Sequence, residues 1–372
     1  MKKVFLLNSY IPVISKIFTA KGYQVLEGNF PEEAAKADAI FSINYEPDVA
    51  EYCWRNQKKY VSWIVDCPHT VLYSRTFYYK SNYIFLFDYN QYCLMKARRG
   101  ESHVYYQPLA SDIESFERTI RSATYDKEEY SADVSFVGRL YRDKDHALLD
   151  TVQYLPPYVE GYLEALMGMQ KQIWGADFLK DTISNEVWDQ LRKYIKWNLQ
   201  SEYDDNYEET VIGMIQQKIA QKERMEMCSL LAKEFDFALY TKDETEFDKR
   251  IDNRGYVDYV KEMPLVFSNS KINMNITLRS ISTGIPLRCL DIMACGGFLM
   301  TNYQAELEEY FVDGQDLVIY TDFSDMKEKI AYYLSHEDER KYIAENGKKK
   351  IAEKFTYQVQ LGNIIDIMEN VE

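Results

Sequence analysis

The stretch Gly284-Ile285-Pro286-Leu287-Arg288-Cys289-Leu290-Asp291-Ile292-Met293-Ala294-Cys295-Gly296-Gly297 holds the residues best placed to do chemistry. Gly284 loosens a loop, Pro286 suits the first position of a helix, and Gly296-Gly297 would stop that helix as a glycine cap does. A helix start offers unpaired backbone N–H groups and the positive end of a dipole, which suit a phosphate. Arg288 falls in the first turn and can add a bidentate contact. Asp291 follows three residues later on the same face. A carboxylate there can accept hydrogen bonds from two adjacent ribose hydroxyls.

Other candidates surround this one. Gly138-Arg139, with Lys144 five residues after the arginine, is a second phosphate candidate, although the same residues read as a solvated surface turn. Lys271 and Arg279 could join the same positive pocket or sit at the surface. Asn273 and Asn275 alternate along a predicted strand and so share one face; two amides are costly to bury unpaired, which favours a hydrogen-bonding role. Tyr240 and Thr241 end another strand. For proton transfer the candidates are Asp66 and His69, with Asp88 as the alternative; His69 can titrate near neutral pH. Asn8 and Ser9 fall in the first strand-to-helix turn.

These residues need elements to hold them. A chain of 372 residues exceeds one ordinary core and implies two α/β domains. The first half alternates apolar runs with amphipathic stretches, the pattern of a parallel sheet. Its strand candidates are Val4–Leu7, Ala39–Asn44, Tyr60–Asp66, Tyr83–Asp88 and Val104–Leu109. Asn8, Asn44, Asp66 and Asp88 at strand ends would point into one crevice, though polar residues commonly end strands. A second series runs from Asp133–Arg139 through Phe237–Thr241, Ile272–Thr277, Phe298–Thr301 and Asp316–Tyr320. A charged, helix-rich stretch at 156–233 interrupts it, and Tyr357–Glu372 reads as a closing amphipathic helix.

Composition narrows the partners. The net charge of −15 and pI of about 4.9 argue against nucleic acid, so an anionic ligand needs a local cluster of Lys and Arg. The six cysteines match no zinc spacing, and no two of the four histidines (His69, His103, His146, His336) form a metal pair. No metal site is expected. No run approaches the ~18 apolar residues of a membrane span. The apolar start stops at Asn8-Ser9, too early for a signal peptide, which points to the cytoplasm.

The segment Ser270-Lys271-Ile272-Asn273-Met274-Asn275 followed by Arg288 to Thr301 resembles the donor-binding signature of GT-B glycosyltransferases. More closely, it is similar to the pattern of the bacterial spore maturation protein CgeB-like glycosyltransferases. Ser62-Trp63-Ile64-Val65-Asp66-Cys67-Pro68 and Val134–Gly138 resemble that family's other motifs, and Gly138-Arg139-Leu140 resembles a pyrophosphate loop of many GT-B enzymes. The resemblance implies two Rossmann-like domains facing a central cleft: an acceptor domain at 1–128, a donor domain at 129–356 with a helical insertion at 156–233, and a last helix at 357–372 that crosses back. It implies transfer of a sugar from a nucleoside diphosphate sugar to a hydroxyl of a glycan or protein acceptor, without cofactor or metal. Tyr240 would stack on the nucleobase, and Asp291 would contact ribose. Retaining relatives carry a glutamate eight positions before that residue; here it is Thr283, so retaining and inverting chemistry both stay open. A nucleotide-sugar epimerase of the same fold and a non-catalytic sugar-nucleotide-binding envelope or spore component are the alternatives; the apolar spacing of the helical stretch suits packing on the donor domain, while an acceptor site, a partner surface or a homodimer contact stay open for it.

Overall fold

The computed structural model describes residues 1–7, 11–99, 103–143, 147–196 and 207–370. Two six-stranded parallel sheets organise them. The first contains β1 (Lys3–Leu7), β2 (Gln24–Leu26), β3 (Ala39–Ile43), β4 (Lys59–Ile64), β5 (Asn82–Leu86) and β6 (Val104–Tyr106), in the order β2-β1-β3-β4-β5-β6. The second contains β7 (Val134–Val137), β8 (Phe237–Tyr240), β9 (Asp252–Asn253), β10 (Ile272–Asn275), β11 (Leu299–Asn302) and β12 (Val318–Tyr320), in the order β12-β11-β10-β7-β8-β9. Central strands such as β4 are buried from Tyr60 to Ile64, because helices cover both faces of a parallel sheet.

Two strands were not legible in the sequence. β2 has three residues, none fully buried, and β9 has two. Neither carries an apolar run; each forms because β1 or β8 offers a row of unpaired backbone groups.

The stretch read as a helical insertion folds as helices Pro157–Lys171, Leu179–Thr182, Asn185–Tyr194 and Tyr207–Glu234. It has its own apolar cluster, including Val159, Leu163, Trp188, Leu191 and Ile215. A buried ion pair ties it to the second sheet. Arg279 Nε lies 3.2 Å from both Glu223 carboxylate oxygens, and the guanidinium stacks 3.4 Å from the Trp174 ring centre. Arg279, one of the candidates for the positive pocket, is thereby committed to the insertion.

The last helix, Tyr357–Asn370, packs on the helix Pro12–Ala20 beside the first sheet, with Leu361, Ile364, Ile365 and Met368 buried. Its Glu369 accepts from the Tyr23 hydroxyl at 2.8 Å. One apolar cluster runs from β1 and β5 through Leu109 and Phe116 to Leu290 and Ile292, so the two halves share a continuous base. No helix among the described residues is long and apolar enough to cross a membrane.

Candidate functional site

The helix Leu287–Ala294 starts after Pro286, whose extended backbone occupies the N-cap, and ends at Gly296 with φ of 75°. The left-handed turn there favours glycine. Gly297 answers a different need: a Cβ on it would lie 2.6 Å from the Phe267 carbonyl oxygen and 2.8 Å from Asn273 Nδ2. The pair of glycines therefore both stops the helix and lets β11 start tight against its neighbours.

Beside this helix, at the carboxyl ends of β7, β8 and β9, lies a cavity of about 540 Å³. Gly138, Arg139, Tyr240, Thr241 and Arg288, all candidates from the sequence, line it. It is where a ligand should sit in an open parallel sheet. Three cations stand on its wall. Arg139 is 3.7 Å from Asp143; Lys242 lies 4.1 Å from the Tyr256 ring centre; Arg288 lies over the Phe267 ring at 5.5 Å, with Nη1 against Met263 Sδ. Asp243 also lines the cavity, but its carboxylate serves backbone. It accepts from Leu140 N–H at 2.6 Å and Arg142 N–H at 3.1 Å, and so fixes the turn after β7.

Tyr256, Tyr259, Lys242 and Asp243 were missed as site residues. Tyr256 and Tyr259 follow the two-residue β9, which gives no pattern to place them. Lys242 and Asp243 directly follow the Tyr240-Thr241 strand end and could have been found from it.

Other candidates are placed elsewhere. Lys271 precedes β10, at the opposite end of the sheet from the cavity, and pairs with Asp133 at 2.6 Å. Asn273 is buried in mid-strand, where it accepts from the Ser135 hydroxyl at 2.9 Å and donates to the Phe267 carbonyl at 3.1 Å. Asn275 donates to the Thr277 and Thr301 hydroxyls at 3.1 and 2.9 Å. The two amides do share a face and do hydrogen-bond, but their partners are neighbouring strands, the helix Met263–Asn269 and the end of β10's own segment rather than a ligand site. Lys144, Asn8 and Ser9 lie outside the described residues.

Asp291 is on the same helix face as Arg288, with Oδ2 3.9 Å from Nη1, yet it is only 1% exposed. Its Oδ1 accepts from the Ser111 hydroxyl at 2.9 Å and the Tyr259 hydroxyl at 3.0 Å. Ser111 lies on the connection between the sheets, and its N–H donates to the Phe355 carbonyl just before the last helix. The carboxylate thus pins that crossing point to Tyr259 and Arg288 on the cavity wall. Burial pushes it up to about 6, against the lowering by Arg288, Ser111 and Tyr259.

On the first-sheet side, Asn44 ends β3 with φ of 63°, a conformation asparagine tolerates. Its amide donates to Asp66 Oδ2 at 2.6 Å and accepts from Val65 N–H at 2.9 Å. His69 Nε2 is 3.0 Å from the backbone nitrogen and oxygen of Tyr45, and burial lowers its pKa. Neither Asp66 nor His69 lines the cavity.

The seam between the halves centres on Thr283. Asp88 Oδ2 accepts from Thr283 N–H at 2.8 Å and Gly284 N–H at 3.0 Å. Glu306 accepts from the Thr283 hydroxyl and Tyr89 N–H at 2.8 Å each, and from the Tyr106 hydroxyl at 2.6 Å. Burial raises the Glu306 pKa. Cys67 and Ser280 exchange two further hydrogen bonds. Two carboxylates therefore close the seam, one from each half. Among the described residues no cluster of His, Cys, Asp or Glu is arranged to hold a metal ion.

Residues 221–366 match the profile of the family described as Glycosyl transferase-like. No curated protein matches the sequence. Among solved structures, the chain is similar to HepE from Anabaena in complex with UDP and glucose, at 11% identity and TM-score 0.51 over 100% of both chains. It is similar to sucrose-phosphate synthase from Thermosynechococcus elongatus, at 10% identity and TM-score 0.51 over 100% of both chains. It also aligns with an alpha-glucosyltransferase in complex with UDP-glucose and DNA containing an abasic site, at 13% identity and TM-score 0.51 over 99% of both chains. Two parallel sheets with these strand orders, aligned over the whole chain, give it the GT-B fold.

Proposed function

We propose that the protein transfers a sugar from a nucleoside diphosphate sugar to a hydroxyl of a glycan or protein acceptor, as a member of the CgeB-like group. The observation that carries this reading is the cavity itself. In a chain of net charge −15 it gathers Arg139, Lys242 and Arg288 around about 540 Å³ at the strand ends. That volume is in the range of small-molecule sites. The glycosyl transferase-like match and the UDP and glucose bound in the Anabaena relative support the same class of donor.

In this reading the three cations and the start of the helix Leu287–Ala294 hold the diphosphate. They stabilise the charge that grows on it as the glycosidic bond breaks. Tyr240 and Tyr256 offer faces to the base. Asp291 acts behind the wall, fixing Tyr259 and Arg288. Asp66 and His69 are the residues we assign to the acceptor proton; burial favours the neutral imidazole that can take one up.

Calorimetry with a panel of nucleoside diphosphates and their sugars tests the proposal. One diphosphate should bind, Arg288→Ala should weaken it by tenfold or more, and Lys271→Ala, at the far end of β10, should leave it unchanged. Failure of every nucleotide to bind a well-folded sample would refute the reading. Turnover of the donor sugar with no acceptor present would point instead to an epimerase.

A further inference from the structure

The long helix Tyr207–Glu234 places an arginine directly beneath the cavity. Arg224 is 8% exposed. Its Nη1 donates to the Arg139 carbonyl at 2.6 Å and its Nη2 to the Ile276 carbonyl at 2.8 Å. These carbonyls follow β7 and β10, so one guanidinium joins the carboxyl ends of two adjacent strands. It lies between the rings of Tyr141 and Phe136, at 4.7 and 5.5 Å from their centres, and its buried Nε has no partner.

What it lacks is a carboxylate. The neighbouring Glu223 is taken by Arg279, and among the described residues no ion pair includes Arg224. A buried cation whose hydrogen bonds go only to carbonyls is costly, and an anion nearby would offset that cost beyond what the Glu223 carboxylate, outside ion-pair distance, supplies. The cavity is the place for one. Gly138 lines it, and a Cβ on Gly138 would lie 3.7 Å from Arg224 Nη1. One thickness of glycine backbone therefore separates the guanidinium from the cavity.

We propose that Arg224 is a positioning residue and fixed cation under the cavity floor. It holds the Gly138–Tyr141 turn from below, and its charge selects a ligand carrying a diphosphate over a neutral one. The inference rests on the donor reading above and adds to it a charge that the ligand does not touch.

The test compares affinity for a nucleoside diphosphate with affinity for the matching neutral nucleoside, UDP against uridine first, then the diphosphate found to bind if another base is preferred. Arg224→Gln should lose about tenfold or more in diphosphate affinity, change nucleoside affinity less than about twofold, and flatten the salt dependence of diphosphate binding. Equal losses for both ligands would mean that Arg224 only supports the turn, and would overturn the proposal. Arg224→Lys keeps the charge and serves if the glutamine variant does not fold. It should hold the diphosphate-over-nucleoside preference within about threefold of the wild type; a collapse of that preference with the charge retained also overturns it. A wild type that binds diphosphate with no change in preference in either variant defeats this inference alone. A wild type that binds no nucleotide defeats the donor reading as well.

Discussion

Replacing Asp291 by asparagine should stabilise the protein at neutral pH, although the residue sits at the junction of the two halves. The carboxyl is fully buried, and its ordinary value of 3.8 is pushed up to about 6. Each decade of proton affinity is worth about 1.4 kcal/mol, so the two decades amount to about 3 kcal/mol. The sign follows from proton counting. Between pH 4 and 6 the folded protein holds this proton and the unfolded chain has released it, so stability falls as pH rises across that window and is flat above it. An amide of nearly the same shape never ionises. Its oxygen can still accept from Ser111 and Tyr259, as Oδ1 does now at 2.9 and 3.0 Å. Its NH2 then faces Arg288 in place of Oδ2, 3.9 Å away, which returns part of the gain. A net advantage of about 1–3 kcal/mol at pH 8 is expected, shrinking towards zero near pH 4. Urea unfolding of both proteins at pH 4.5, 6 and 8 measures it as a shift in midpoint at constant slope. Other buried groups raised or lowered by burial, Glu306, Glu223 and His69, are common to both proteins and cancel in the difference. A pH-independent difference, or a variant less stable at pH 8 than at pH 4.5 relative to wild type, would refute the reasoning.

The glycine pair and the insertion anchor give two further expectations. Gly297→Ala should cost several kcal/mol in urea unfolding, because its methyl group meets a carbonyl at 2.6 Å and an amide at 2.8 Å. Gly296→Ala, whose nearest neighbour would be Lys348 Cδ at 3.7 Å, should cost only the ~1 kcal/mol of its left-handed turn. Equal losses would show that space is not what separates them. Arg279→Ala leaves Glu223 buried and unpaired, which should cost about 3–5 kcal/mol. The loss should be felt first as faster amide exchange in the helices Pro157–Lys171 and Asn185–Tyr194; exchange unchanged there would mean that the insertion is held by its own apolar cluster.

Local pattern was enough for the framework. Apolar runs of the right length marked ten of the twelve strands, and Pro286 with Gly296-Gly297 bounded the helix that forms one cavity wall, because strand burial and helix caps are written in adjacent residues. The helix start supplied Arg288, and the loop and strand end after β7 and β8 supplied Gly138, Arg139, Tyr240 and Thr241, all of which line one cavity. Tertiary structure decided the rest. Lys271 is beside a signature in sequence but at the wrong end of β10 in space, and Asn273 spends its amide on Ser135 and Phe267. Asp291 faces Ser111, distant in the chain, and Arg224 reaches the cavity floor from a helix that begins in the insertion. Periodicity fixes which face of an element is turned inward. What that face meets depends on how distant segments pack, and the chemistry of a buried charge is set by that meeting.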